Sequence, residues 1–155
     1  MIGVRLSGNG RWWEIPRIAM GQVQFGLAER RGVLRVLRSG RLRAGPLVEE
    51  FEERFARSVG ARFAIAVNSG SAALYLAYRV LVESGSEVIV PDFTFVATAS
   101  MAVAAGSQPA FADVDPETFC LDPAAVERKI TSRTRAVVVV HLFGHPAQMD
   151  ALVVL

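Results

Sequence analysis

The chain has 155 residues, 52% of them hydrophobic, which is long enough and apolar enough to bury one core. Its net charge of +2 comes from dispersed arginines with glutamates among them, so we expect no nucleic-acid partner. One cysteine and two histidines allow neither an intrachain disulfide nor a structural zinc site, which favours a reducing cytoplasm. No apolar stretch has the length of a membrane span and no signal sequence is visible, so we expect neither membrane insertion nor secretion.

Residues 1–25 lack apolar periodicity and predict an irregular N-terminal arm. The pair Trp12 and Trp13 either anchors this arm on a neighbouring surface or has no structural role. A helix is predicted for 26–39, ended by Gly40. A second helix begins at Pro46, where a missing N–H costs nothing. Its apolar stripe consists of Leu47, Phe51, Phe55 and Val59, and the helix ends at Gly60.

Strands and helices then alternate along the chain. The predicted elements are a strand at 63–67, a helix at 71–83, a strand at 87–90 ended by Pro91, a helix at 94–105, an extended piece at 108–114, a helix from Asp122 to about 130, and a strand at 135–140. The last strand is apolar throughout its centre, which is typical of a strand covered on both faces. This order predicts an α/β fold with a mostly parallel sheet and helices on both faces.

The turn after the first predicted strand resembles an anion site. Ser69, Gly70 and Ser71 lie between an apolar run and a helix, where unpaired N–H groups and the helix dipole favour a phosphate. The simpler interpretation of this stretch alone is a strand-to-helix turn with Ser71 as an ordinary N-cap.

A second loop at the same sheet edge favours a particular ligand. Parallel sheets bind ligands beyond the carboxyl ends of their strands, and the segments 91–98 and 141–146 also follow strands. A phosphate site beside an aromatic side chain suits a flat, phosphorylated ring such as pyridoxal phosphate. A nucleotide would suit it too, but the chain has neither GxGxxG after a strand nor GxxxxGK[ST].

Five runs resemble the DegT/DnrJ/EryC1/StrS family. They are residues 37–52, 66–74 (AVNSGSAAL), 91–99 (PDFTFVATA), 111–115 (FADVD) and 141–150 (HLFGHPAQMD). The resemblance covers about Arg31 to Asp150. It implies the N-terminal part of the large domain of the aspartate-aminotransferase-like, fold type I transferases, which use pyridoxal phosphate and, in the half-reaction, pyridoxamine phosphate. On this basis residues 26–155 form a partial large domain.

The resemblance also implies roles for individual residues. The amides of Ser71 and Ala72 and the Ser71 hydroxyl hold the phosphate, and Phe95 stacks on the pyridine ring. The predicted cofactor-binding residues are therefore Ser69, Gly70, Ser71, Ala72 and Phe95. A core position on a helix is the other interpretation of Phe95.

Further residues of the strand-end loops are expected to be structural. His141 and His145 are interpreted as loop residues, because a histidine after a strand is more often hydrogen-bonded structure than a proton shuttle. Phe143 stands where the family commonly has tyrosine, so no hydroxyl acts there.

The family's Schiff-base lysine and its pyridine-nitrogen carboxylate lie downstream of the segment that resembles 141–146. The only lysine here is Lys129, in the polar run Glu127, Arg128, Lys129, where a solvated helix face explains it better. Asp113 and Asp115 end another strand and are interpreted as turn residues. No catalytic residue is therefore assigned, and we expect the chain to be inactive by itself.

The implied activity of an intact relative is transfer of an amino group, from glutamate, to a nucleotide-linked keto sugar. The same resemblance leaves two alternatives: a sugar dehydratase of the family, in which histidine replaces the lysine, and a non-catalytic remnant or regulatory binding module. Relatives share each active site across a dimer, so we expect a homodimer. Apolar strand edges left exposed would favour such association or aggregation.

Overall fold

The structure, a computed structural model, describes residues 23–155, so most of the predicted arm, with Trp12 and Trp13, lies outside the described residues. The chain divides into two compact units, of which the first ends at Val59 and the second begins at Gly60. The elements in chain order are α1 (Leu27–Ser39), α2 (Pro46–Ser58), α3 (Gly70–Leu81), β1 (Glu87–Pro91), α4 (Ala97–Ala104), β2 (Gln108–Ala112), α5 (Pro123–Lys129), β3 (Thr134–Val137), a 3-10 turn (Leu142–Gly144) and α6 (Met149–Leu152).

The first unit contains the two predicted N-terminal helices. α1 ends at Gly40, whose φ of 66° is the left-handed conformation that glycine adopts without strain. α2 begins with Pro46 in its first turn, as predicted, and Gly60 follows it with a φ of 68°. The Phe51 and Phe55 rings of the predicted stripe lie 5.9 Å apart, but both side chains remain about half exposed.

The second unit is built on a parallel sheet of order β2-β1-β3. Side chains of β1 alternate between its two faces: Val88 and Val90 pack in one buried cluster with α3 and α4, and Ile89 packs in another with α5 and α6. Because both faces of the central strand are covered by helices, the predicted α/β architecture is confirmed.

β3 is shorter than predicted but is covered on both faces. Strand pairing ends at Val137, although the amide of Val138 still donates to the carbonyl oxygen of Ile89 at 2.8 Å. Ala136 and Val138 pack against the cluster on the α3 and α4 face, and the alternate residues Val137 and Val139 pack against the cluster on the other face.

The predicted strand at 63–67 is wrong for this structure. The sheet formed by the described residues does not include this segment, and Phe63 and Ile65 are 77% and 82% exposed. An apolar run shows that a segment suits burial, but a strand also needs a neighbouring strand that pairs with its backbone. Within residues 23–155 the sheet consists of β2, β1 and β3, and none of these strands pairs with the segment.

The start of α4 and the end of β2 also differ from the predictions. α4 begins at Ala97 instead of at 94, so the loop after β1 is longer and contains Phe95. β2 ends at Ala112, and Val114 forms an antiparallel bridge with Leu121 beyond it. The cap of α5 is as predicted: the Asp122 carboxylate accepts a hydrogen bond from the amide of Ala124 at 3.0 Å.

Candidate functional site

Ser69 shapes the turn at the start of α3. Its backbone is extended, its side-chain oxygen accepts a hydrogen bond from the Ala72 amide at 3.2 Å, and its carbonyl oxygen accepts one from the Ala73 amide at 3.1 Å. Ser69 is therefore the N-cap, and the expectation that Ser71 caps the helix is wrong. Ser71 is the second residue of the helix, where its hydroxyl is not placed to cap the first turn.

The amides of Gly70 and Ser71 remain available for an anion. Neither amide has a hydrogen-bond partner within residues 23–155, nor does the Ser71 hydroxyl. A Cβ built on Gly70 would meet no atom within 4 Å, so the space above the turn is open. Since the positive end of the helix dipole lies at the same point, these residues fit a phosphate group. The predicted contribution of the Ala72 amide is less direct, because that amide already donates to Ser69.

The turn lies at the edge of the sheet where the strands end. The Gly85 amide, after the end of α3, donates to the carbonyl oxygen of Gly106, after the end of α4, at 2.8 Å. The two helices therefore finish side by side, next to the starts of β1 and β2. Their N-termini point toward the carboxyl ends of the strands, which is the edge where parallel sheets bind ligands.

Phe95 is on the loop that leaves β1 at this edge. Its side chain is 73% exposed, and it precedes α4 instead of being part of it. In this structure Phe95 is therefore neither on a helix nor in the core. Because the ring is exposed, one of its faces is available for stacking on a planar ligand.

A hydrogen-bond network that the sequence analysis did not identify joins α3 to α4. The Tyr78 hydroxyl donates to the carbonyl oxygen of Thr98 at 2.6 Å, and the hydroxyl oxygens of Thr94 and Thr98 are 3.1 Å apart. Burial raises the pKa of the Tyr78 phenol above its ordinary value. The signal in the sequence was one phenol on the apolar face of a predicted helix, which is weak evidence by itself.

The side chains of His141 and Asp115 hold two of the other strand-end loops together through hydrogen bonds. His141 Nδ1 accepts a hydrogen bond from the Ala147 amide at 3.1 Å, which agrees with a structural role. The Asp115 carboxylate accepts hydrogen bonds from the amides of Thr118 and Glu117 at 2.8 and 2.9 Å. These hydrogen bonds lower the Asp115 pKa below its ordinary value, with the Thr118 amide as the largest cause. Asp115 is therefore a turn residue, as predicted.

Two phenylalanines beside this edge have positive φ. Phe119 has a φ of 56° and its ring lies 5.7 Å from that of Phe93, while Phe143 has a φ of 53° and is 81% exposed. Left-handed backbone is unfavourable for a bulky residue and persists only where neighbouring contacts enforce it. For Phe119 the Asp115 turn provides such contacts, because the Phe119 amide donates to the Asp115 carbonyl oxygen at 2.8 Å.

Lys129 lies far from the candidate phosphate site. It is exposed at the end of α5, which packs on the face of the sheet opposite α3. α5 also runs back toward the starts of the strands, since β3 begins at Thr134. Lys129 and Ser71 are therefore at opposite edges and on opposite faces of the sheet, which agrees with the interpretation of a solvated helix face.

The remaining concave and polar features do not add to the site. A cleft of about 440 Å³ lies between α1 and α2 and is lined in part by Arg35, Arg41 and Leu47, without any predicted cofactor residue. Within residues 23–155, no group of His, Cys, Asp and Glu side chains is arranged to hold a metal ion. No helix in the same range is both long and apolar enough to span a bilayer.

Comparisons with known proteins agree with this geometry. The family described as "DegT/DnrJ/EryC1/StrS aminotransferase family" matches residues 25–155. The chain is 44% identical over 122 residues to the UDP-2-acetamido-2-deoxy-3-oxo-D-glucuronate aminotransferase of Pseudomonas aeruginosa, covering 78% of this chain and 34% of that protein. It is 48% identical over 126 residues to the L-glutamine:2-deoxy-scyllo-inosose aminotransferase of Streptomyces kanamyceticus, covering 76% of this chain and 30% of that protein.

A solved structure supports the fold. The E. coli GDP-4-keto-6-deoxy-D-mannose-3-dehydratase with bound hydrated PLP matches with a TM-score of 0.79 at 28% identity, over 84% of this chain and 36% of that chain. The protein described here spans about a third of the length of the curated relatives that it matches. Because the family match extends over most of the sequence, the chain belongs to the DegT/DnrJ/EryC1/StrS aminotransferase family.

Proposed function

We propose that this chain carries the phosphate-binding turn and the ring-stacking aromatic of a pyridoxal-phosphate-dependent sugar aminotransferase. The observation that supports this most directly is the pair of unpartnered amides at Gly70 and Ser71, at the same sheet edge as the exposed ring of Phe95. A phosphorylated planar ring needs one anion site and one flat apolar surface, and this edge offers both.

The residues present would bind and orient the cofactor. The amides of Gly70 and Ser71 and the Ser71 hydroxyl would hold its phosphate, and Phe95 would fix the plane of its ring. When bound, pyridoxal phosphate would supply an aldehyde carbon that carries the amino group between donor and acceptor, and a ring that withdraws electrons. Ser69 would keep the turn in the binding conformation, since its side chain holds the first turn of α3 closed.

The described residues do not supply the lysine side chain that transamination needs. The chemistry requires a lysine near the cofactor aldehyde and a carboxylate near the pyridine nitrogen. Lys129 is at the opposite edge of the sheet, and Asp115 accepts two backbone hydrogen bonds within its own turn. We therefore propose that these 155 residues are inactive alone and that the lysine comes from protein outside this segment.

The proposed substrates are a nucleotide-linked keto sugar as acceptor and glutamate as donor. The keto-sugar acceptor is supported by the name of the Pseudomonas aeruginosa relative, a UDP-sugar aminotransferase. The name of the Streptomyces kanamyceticus relative gives glutamine as the donor and an inosose as the acceptor, so glutamine is the alternative donor to test. Amination assays of the intact protein with glutamate or glutamine and a UDP- or dTDP-keto sugar would test this assignment.

A sugar dehydratase is the second candidate. It is supported by the structural match to a dehydratase with bound PLP, at the TM-score of 0.79 that two aminotransferase structures also reach. The intact protein should release amine-free sugar and no aminated product if it is a dehydratase. An aminated product in the same assay would exclude this candidate.

We further propose a cytoplasmic homodimer. Many large apolar side chains of the described residues are more than half exposed, among them Phe51, Phe63, Ile65, Val80 and Leu81. Large apolar side chains exposed in such number are usually covered by protein. Sedimentation of the intact protein would show the dimer, and a monomer at micromolar concentration would contradict it.

The direct test of the proposal is binding of pyridoxal phosphate to the chain. Ser71→Ala removes one phosphate ligand and should weaken pyridoxal phosphate binding about tenfold, the effect of one hydrogen bond to a charged group. Pyridoxal, which lacks the phosphate, should bind both proteins equally weakly. Ser58→Ala is the matched control, because its hydroxyl bonds to the Phe55 carbonyl oxygen in α2. Equal pyridoxal phosphate affinity of the Ser71 variant and the unsubstituted chain would contradict the assignment.

A further inference from the structure

Thr98 makes hydrogen bonds to two parts of the candidate site. Its carbonyl oxygen accepts from the Tyr78 hydroxyl of α3 at 2.6 Å, and its amide donates to the carbonyl oxygen of Phe95 at 3.0 Å. Its hydroxyl oxygen lies 3.1 Å from that of Thr94, in the same loop as Phe95. Thr98 therefore connects the helix that begins with the phosphate-binding turn to the loop that carries the aromatic ring.

The connection is buried and short. Tyr78 is 4% exposed and Thr98 is 5% exposed. Tyr78 lies eight positions after Gly70, so α3 carries the turn about 12 Å along its axis from Tyr78. A helix is rigid over this length, so a shift of Tyr78 along α4 would move the turn by the same amount relative to Phe95.

Apolar packing alone defines this alignment poorly. The residues of α4 that pack toward α3 and the sheet include Ala99, Met101 and Ala102, and the C-cap Ala105 packs there too, so most are alanines. Small side chains make shallow ridges on a helix, so the position of one helix along the axis of its neighbour is weakly determined. A directional hydrogen bond determines it more strongly, because its energy falls steeply with distance and angle.

We propose that Tyr78, Thr98 and Thr94 are positioning residues that set the distance between the phosphate-binding turn and the Phe95 ring. This inference rests on the proposed function, because the distance matters only to a ligand that contacts both. It concerns ligands with a phosphate and a planar ring on one molecule. A ligand that consists of phosphate alone contacts only the turn and should be insensitive to the alignment.

The test compares two ligands on two tyrosine variants of the full chain. Tyr78→Phe removes the hydroxyl and keeps the ring, and it should weaken pyridoxal phosphate binding about tenfold. The affinity for inorganic phosphate should stay unchanged. Tyr75→Phe is the matched control, since Tyr75 is in the same helix and its hydroxyl has no hydrogen bond within residues 23–155. It should leave both affinities unchanged.

A second pair of variants tests the role of Thr98. Thr98→Val keeps the shape and removes the hydroxyl, so it should weaken pyridoxal phosphate binding and leave phosphate binding intact. Thr98→Ser restores the hydroxyl and should restore the affinity. Hydrogen exchange of the Thr98 amide, which reports its bond to Phe95 without any ligand, should accelerate in the Tyr78 variant and not in the Tyr75 variant.

The outcomes separate this inference from the proposed function. If the Tyr78 variant loses affinity for both ligands equally, or for neither, the positioning role is wrong. In that case binding of pyridoxal phosphate to the unsubstituted chain still supports the proposed function. If the unsubstituted chain binds pyridoxal phosphate no better than pyridoxal, the proposed function fails and this inference fails with it.

Discussion

The side-chain oxygen of Ser69 accepts a hydrogen bond from the Ala72 amide at 3.2 Å, which makes the first serine of the turn the cap of α3 and leaves Ser71 unpaired within the described residues. The two serines therefore have different tasks: the first stabilises the helix, and the second is available to a ligand. This division allows helix stability and ligand binding to be changed separately.

Substitutions of Ser69 should separate the two tasks. Ser69→Ala removes the cap and should lower the free energy of unfolding by about 1 kcal/mol. Ser69→Asp and Ser69→Asn both keep a capping oxygen and should leave stability within about 0.5 kcal/mol of the original. The aspartate adds a negative charge beside the phosphate and should weaken pyridoxal phosphate binding at least about tenfold, whereas the asparagine should not. Urea unfolding and a binding titration measure the two effects, and equal ligand affinity of the Asp and Asn variants would show that no anion binds at this turn.

The buried phenol of Tyr78 should make stability depend on alkaline pH. Its pKa in the folded state is raised above the unfolded value of 10.0 by burial, so the folded state holds this proton more tightly. The contribution is fully present below pH 10.0 and is lost as the pH rises through the folded pKa. Urea unfolding between pH 8 and about pH 12 should show a decline that is smaller in Tyr78→Phe than in Tyr75→Phe. The same decline in both variants would mean that another group causes it.

Asp115 should have the opposite dependence on pH. Hydrogen bonds from the Thr118 and Glu117 amides lower its folded pKa below 3.8. The stabilisation is therefore present above pH 3.8 and is lost as the pH falls through the folded pKa. Asp115→Asn should flatten the acid side of the stability curve. An NMR titration of the Asp115 carboxyl carbon should give a midpoint below 3.8.

Asp113→Asn is the control for this prediction, because the Asp113 carboxylate makes no hydrogen bond within residues 23–155. It should leave the NMR midpoint of Asp115 below 3.8. A normal Asp115 midpoint would show that the turn around Phe119 is not closed in solution.

Two isoleucines test which apolar segments belong to the core. Ile89 is fully buried at the centre of β1, and Ile65 is 82% exposed in the segment predicted to be a strand. Ile89→Ala should lower the free energy of unfolding by about 2–5 kcal/mol through lost burial and a cavity. Ile65→Ala in the same chain should change it by no more than about 0.5 kcal/mol. A large loss at Ile65, measured by urea unfolding, would mean that segment 63–67 is packed in solution.

Signals carried by neighbouring residues were sufficient for much of the fold. Pro46 at the start of α2, Gly40 after α1, and Asp122 before Pro123 in α5 each specify a helix end through local hydrogen bonds or fixed dihedral angles. The alternation of apolar strands with helices indicated a parallel sheet with two covered faces, since each strand needs apolar partners on both sides.

The helix N-terminus near Ser69, Gly70 and Ser71 was predictable too, because small polar residues after an apolar run are a local pattern; its role as a phosphate site stays a prediction. Only the tertiary structure decided which serine caps α3, that Phe95 precedes α4 as an exposed loop residue, and that segment 63–67 is outside the sheet. It also brought Tyr78 to Thr98, twenty positions away, and placed Lys129 on the other face of the sheet. These features depend on contacts between residues distant in sequence, and hydrophobic periodicity carries no information about which distant segments meet.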